Sequence, residues 1–115
     1  MIPKRARGIS RKETENLFRS GKKKHLKNGF LLWKPSTCAG ARVAVSVAKK
    51  SAATAPARTR IRRRVQASVK KLLPQLKPVD MVIVWTAGAG APAPDTQQLG
   101  EELADVFEQE ALYKI

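Results

Sequence analysis

Three stretches of this chain predict a small α/β domain, with helices packed on a short sheet. Arg42 to Ala48 (RVAVSVA) alternates apolar and small or polar residues, the period of a strand. Val79 to Thr86 (VDMVIVWT) is almost continuously apolar, as an inner strand covered on both faces must be. Between them Ile61, Val65, Val69, Leu72 and Leu76 recur at helical spacing. A length of 115 residues fits one domain. We place that domain at residues 10–115, and read the basic start at residues 1–9 (MIPKRARGI) as a flexible arm.

The elements follow in order. Ser10 to Ser20 reads as a helix capped by Ser10, with Glu13 as its capping-box partner, and Gly21 as its end. Thr14, Leu17 and Phe18 share one face of it. Lys22 to Lys27 is a basic stretch with room for a short strand, and Asn28-Gly29 is a bend. Phe30 to Lys34 is a strand with Phe30 and Leu32 on one face and Leu31 and Trp33 on the other. Pro35 to Gly40 is a loop. In the next strand Val43, Val45 and Val47 oppose Arg42, Ala44, Ser46 and Ala48, a small, polar face able to lie under a ligand. Ser51 to Ala55 crosses to a helix that begins at Pro56 and runs to about Leu73, before Pro74 ends it. Asp95 opens the final helix, with Gln98 as its capping partner and Leu99, Leu103, Val106, Phe107 and Leu112 as its buried stripe.

Charge is segregated along the chain. Residues 1–77 hold 22 of the 23 Lys and Arg and two acids, Glu13 and Glu15, for a net +20. Residues 78–115 hold one base and seven acids, for a net −6. Self-repulsion of this kind opposes a compact state until a polyanion relieves it. Nucleic acid is the leading partner, ahead of an anionic membrane surface or an acidic protein. The density peaks at Arg58, Arg60, Arg62, Arg63 and Arg64, five arginines in seven residues. A guanidinium is charged at any working pH and its planar fork matches a phosphate. A merely solvated helix face is the alternative reading.

Catalytic chemistry of the protein's own is poorly provided for. His25 and Cys38 are the sole residues of their kinds, which excludes paired-histidine nuclease chemistry, a zinc site and an internal disulfide. No phosphate-binding Gly-rich loop occurs. Glu101, Glu102, Asp105, Glu108 and Glu110 decorate the outer face of the last helix and do not form a carboxylate site for a metal. No stretch is long and apolar enough to span a membrane. Trp33 has two readings: packing, or a base-stacking ring on a face of the sheet turned away from the helices, where stacking is worth roughly 1–3 kcal/mol per base. Phe18 has the same two.

Several of these residues form a pattern. Val45-Ser46-Val47-Ala48-Lys49-Lys50, then Arg58-Thr59-Arg60-Ile61-Arg62-Arg63, then the apolar strand after Asp80 and a last helix closing near Leu112-Tyr113-Lys114 resemble the bacterial ribonuclease P protein subunit. Leu17-Phe18-Arg19-Ser20-Gly21 and Phe30-Leu31-Leu32-Trp33 fit the same family. Three departures stand out: Thr59 replaces the asparagine of the family's Arg-Asn-Arg motif, residues 51–56 lack its Gly-Asn-Ala pattern, and Thr14 stands where an aromatic is frequent.

The resemblance implies an α/β (α+β) two-layer sandwich. Its small mixed sheet would contain a left-handed β-α-β crossover, contrary to the usual hand, similar to the second domain of a small-subunit ribosomal protein. It implies a cytoplasmic ribonucleoprotein whose RNA subunit binds Mg2+ and removes the 5′ leader of precursor tRNA. The protein would act as a monomer within that assembly and hold no catalytic residue or metal. Arg58, Arg60, Arg62, Arg63 and Arg64, with Lys49 and Lys50, would bind the RNA, and a cleft of Phe18, Leu31 and Trp33 would hold the single-stranded leader. The other readings are a structural RNA-binding module of the same fold and a protein-only metal nuclease.

Overall fold

A computed structural model of the chain describes residues 11–36, 40–52, 54–88 and 94–113. The proposed cap Ser10, the N-terminal arm and Cys38 lie outside the described residues. Helix α1 (Arg11–Ser20) buries Leu17 and leaves Phe18 exposed. It ends where the Gly21 amide donates to the Leu17 carbonyl at 2.8 Å. A side chain at Gly21 would place its Cβ 2.6 Å from that same oxygen.

The basic stretch after it is a strand. β1 (Lys22–Leu26) and β2 (Gly29–Pro35) form an antiparallel hairpin around Lys27-Asn28, with Lys22 opposite Trp33 and Leu26 opposite Gly29. Gly29 is required by its other neighbour, since a Cβ there would come within 1.9 Å of the Val84 carbonyl oxygen. β3 (Arg42–Val47) pairs in parallel with β4 (Val79–Trp85), and β4 pairs antiparallel with β2. The order β1-β2-β4-β3 makes a mixed sheet with β4 inside it, and all seven β4 residues are buried, as its apolar run predicts. The lysines of β1 line one sheet edge, where charge discourages a further strand from pairing.

The crossover from β3 to β4 carries α2 (Ala55–Lys70). Thr54 caps it by accepting from the Ala57 amide at 3.3 Å, and Pro56 sits in its first turn. The helix stops before the predicted end, and a single 3-10 turn at Leu73–Gln75 takes over around Pro74. Asp95 caps α3 (Thr96–Gln109), accepting from the amides of Gln97 and Gln98 at 2.9 and 3.1 Å. Beyond it Ala111 takes a left-handed φ of 55°. The Leu112 amide reaches back to the Phe107 carbonyl and the Ala111 amide to Glu108, the paired bonds that close a helix end. This turn drops Leu112 into the core and pairs Tyr113 with Leu76.

Two apolar layers result. On one face α2 contributes Val65 and Val69, and α3 contributes Leu99, Leu103, Val106 and Phe107. They pack on Leu31, Trp33, Met81, Ile83, Trp85 and Val47. On the opposite face the smaller cluster is Leu17 of α1 with Leu32, Val82 and Val84, flanked by Phe30 and Ala44. Helices thus cover one face broadly and the other through α1 alone among the described residues.

Candidate nucleic-acid interface

The basic site is assembled where β3 hands over to α2. The Ala48 amide donates to the Trp85 carbonyl at 2.9 Å, continuing the β3–β4 pairing by one residue. Lys49–Ser51 then make one 3-10 turn, closed by the Ser51 amide on the Ala48 carbonyl and anchored by buried Ser51. The turn is fixed at both ends, and Lys49 and Lys50 stand exposed on it.

The five arginines of α2 divide by role. Arg58 is half-buried and donates to the Ala52 carbonyl at 3.0 Å, bracing the segment that enters the helix. Arg64 leans toward the start of α3, 3.5 Å from the Pro94 carbonyl, the outer limit of a hydrogen bond. Arg60, Arg62 and Arg63 are exposed, and among the described residues none of them pairs with a carboxylate. Arg60 and Arg63, three apart, share the outward side of the helix, and Arg62 lies on its flank. Their charges are therefore close together and unneutralised by the described residues. Such an array repels itself until an anion lies across it.

The face of β2 requires a correction. Leu31 and Trp33 do not line a cleft. They are 0% and 6% exposed and belong to the large core beneath α2 and α3. Alternation along β2 separates Leu31 and Trp33 from Phe30 and Leu32 but does not say which pair is covered. The pairing with Met81 and Ile83 decides it, because those residues lie on the side where two helices supply apolar surface. The indole nitrogen of Trp33 is buried with no hydrogen-bond partner among the described residues, and Lys22 Nζ lies 5.0 Å from the ring centroid. The open surface is the other face. There Phe30 and Ala44 are half-buried, Ser46 is exposed, and Lys23 Nζ lies 4.5 Å from the Phe30 ring. Phe18 on α1, at 53% exposure, is the large hydrophobic side chain left outside among the described residues.

One polar arrangement was not anticipated from the residues. Arg42 opens β3 and Asp80 is its partner on β4. The Arg42 Nε and Nη2 atoms donate to the two Asp80 oxygens at 2.8 Å each, and Nη2 also donates to Glu13 of α1. Hydrogen bonding to Asp80, opposed by burial and reinforced by Glu13, drives the Arg42 ionisation further above its usual range. A lone charge at the head of each apolar strand was the available signal, since a buried charge needs a partner.

Next to the basic helix, where Arg64 approaches Pro94, the sign of the surface reverses. A cleft of about 700 Å3 lies between the Lys27-Asn28 turn, Trp85 and the start of α3. Asp95, Glu101, Glu102 and Asp105 line it, and Glu102 accepts from the Lys27 amide at 2.7 Å. Its carboxylates repel phosphate. Among the described residues no three His, Cys, Asp or Glu side chains converge as metal ligands. No helix among them is long and apolar enough to cross a membrane.

The family described as Ribonuclease P matches the chain over residues 2–110. The RNase P protein of Staphylococcus aureus has a similar fold, with a TM-score of 0.76 at 16% identity over 95% of this chain and 98% of that one. A mutant of the S. aureus protein with defective mRNA degradation activity gives 0.77 at 17% identity, covering 96% and 92%. The RNase P protein of Thermotoga maritima gives 0.72 at 16% identity, covering 89% and 96%. A comparison with curated proteins finds no match. The match to the family spans nearly the whole sequence and the fold agrees with it: the chain belongs to the ribonuclease P protein family and is the protein component of that tRNA-processing ribonucleoprotein.

Proposed function

We propose that Arg60, Arg62 and Arg63, joined by Lys49, Lys50 and the braced Arg58 and Arg64, seat this protein on ribonuclease P RNA. The face of the sheet beside α1 then holds the single-stranded 5′ leader of precursor tRNA, on Phe18, Phe30, Ala44 and Ser46. In this reading the RNA holds the Mg2+ ions and hydrolyses the phosphodiester, and the protein supplies no reacting group. Its cations lessen the repulsion between two polyanions, the catalytic RNA and the substrate, that must lie together. One copy acts with one RNA, in the cytoplasm.

The observation that carries this reading is the set of exposed guanidiniums on α2 with no carboxylate partners among the described residues. The test is reconstitution with a ribonuclease P RNA at low Mg2+. The protein is expected to stimulate 5′ cleavage of precursor tRNA. RNA binding without stimulation would mark a structural module instead, and cleavage by the protein without RNA would mark a protein nuclease.

A further inference from the structure

The Glu13–Arg42–Asp80 chain of charges runs from α1 onto the sheet. Asp80 is 4% and Arg42 8% exposed, and two hydrogen bonds hold the guanidinium in the plane of the Asp80 carboxylate. Its position is thus set by the β3–β4 register before Glu13 meets it. A helix of ten residues has little stability alone, so its seat depends on its anchors. Leu17, buried against Leu32, Val82 and Val84, is an apolar anchor and leaves the helix able to pivot. Glu13, one turn earlier, is a second and directional one. Two anchors on one face fix both the position of α1 and its rotation about its own axis.

We propose that Glu13 is a positioning residue. Through Arg42 it sets the angle of α1 over the sheet, and thereby the spacing between Phe18 and the Phe30–Ser46 strip. This role rests on the assignment of the leader to that face. Glu13 is also the replaceable member of the three. Its side chain is 36% exposed, and its removal leaves Arg42 paired with Asp80. Glu13→Gln therefore strips the charge from this anchor, leaving at most a weaker neutral hydrogen bond to Arg42, without stranding a buried charge.

The experiment uses the holoenzyme reconstituted with ribonuclease P RNA, carrying wild-type protein, Glu13→Gln or Glu15→Gln. Glu15 is an exposed acid on the same helix, so its replacement removes the same charge and controls for altered attraction to RNA. Precursor tRNAs with a long leader and with a one-nucleotide leader are compared. For the long leader, KM is expected to rise roughly fivefold in Glu13→Gln relative to Glu15→Gln, with kcat unchanged. The short-leader substrate should not distinguish the two variants. Amide exchange at Leu17 and Phe18 should quicken in Glu13→Gln while β4 stays protected. Equal KM values in the two variants, where the wild type does discriminate by leader length, would overturn the role of Glu13 and leave the leader assignment standing. Unchanged exchange in α1 would overturn the anchor itself. A wild-type holoenzyme indifferent to leader length would overturn the leader assignment, and the role of Glu13 with it.

Discussion

Arg42 and Asp80 face each other across the parallel β3–β4 pair with two nitrogen–oxygen distances of 2.8 Å. The pair stands at the end of the sheet where β3 and β4 begin, and both residues are buried. A bidentate pair of this kind requires one register between the two strands. It therefore does for the β3–β4 alignment what alternation alone does not.

Removing one partner leaves the other's charge in the interior. Asp80→Ala is expected to lower stability by roughly 3 kcal/mol, with Glu13 offering Arg42 partial relief. Urea unfolding measures it. A decrease under about 1 kcal/mol would show that water or Glu13 replaces Asp80 fully.

The arginines of α2 should separate by role. Replacing Arg60, Arg62 or Arg63 by Ala should leave stability nearly unchanged. Each replacement should make the salt dependence of RNA affinity shallower, by roughly 0.7–0.9 in log–log slope for every phosphate the variant no longer neutralises. Arg58→Ala should in addition cost about 1 kcal/mol of stability, because its guanidinium donates to the Ala52 carbonyl. An unaltered salt slope in the first three variants would place RNA elsewhere.

Trp33 and Phe18 should behave oppositely. Trp33→Ala empties a site beneath two helices and should cost about 3–5 kcal/mol. Phe18→Ala, at an exposed position, should change stability by no more than about 0.5 kcal/mol. It should weaken binding of leader-bearing precursor by roughly 1–3 kcal/mol where a base stacks on the ring, and leave mature tRNA unaffected. Equal weakening of both substrates would deny Phe18 a place against the leader.

Tyr113 is the only tyrosine, so phenolate absorbance reports one group. Burial, then the negative charges of Glu108 and Asp105, push its ionisation above the usual range. The folded state thus resists losing the proton more than the unfolded state does. The stability it contributes is whole below the unfolded value near 10 and is lost as pH rises through the higher folded one. An alkaline titration should show a midpoint above the ordinary value, and Glu108→Gln should bring it down. A midpoint at or below the ordinary value would contradict the packing of this ring.

The sequence by itself determined where most strands and helices lie and that the partner is a polyanion. Period-two alternation, helical spacing, Pro56 in a first turn, a cap at Asp95 and a run of guanidiniums are local properties, and local spacing is enough to read them. The β1 strand was the least legible element. Its lysines carry little strand signal, and only pairing with β2 makes it one. Tertiary structure alone decided which face of β2 is buried. Alternation divides Leu31 and Trp33 from Phe30 and Leu32 symmetrically, and the packing of α2, in the crossover, and α3, after β4, on one side breaks that symmetry. It likewise brought Glu13, Arg42 and Asp80 together from three distant segments, because the register between strands depends on the whole sheet rather than on any one strand.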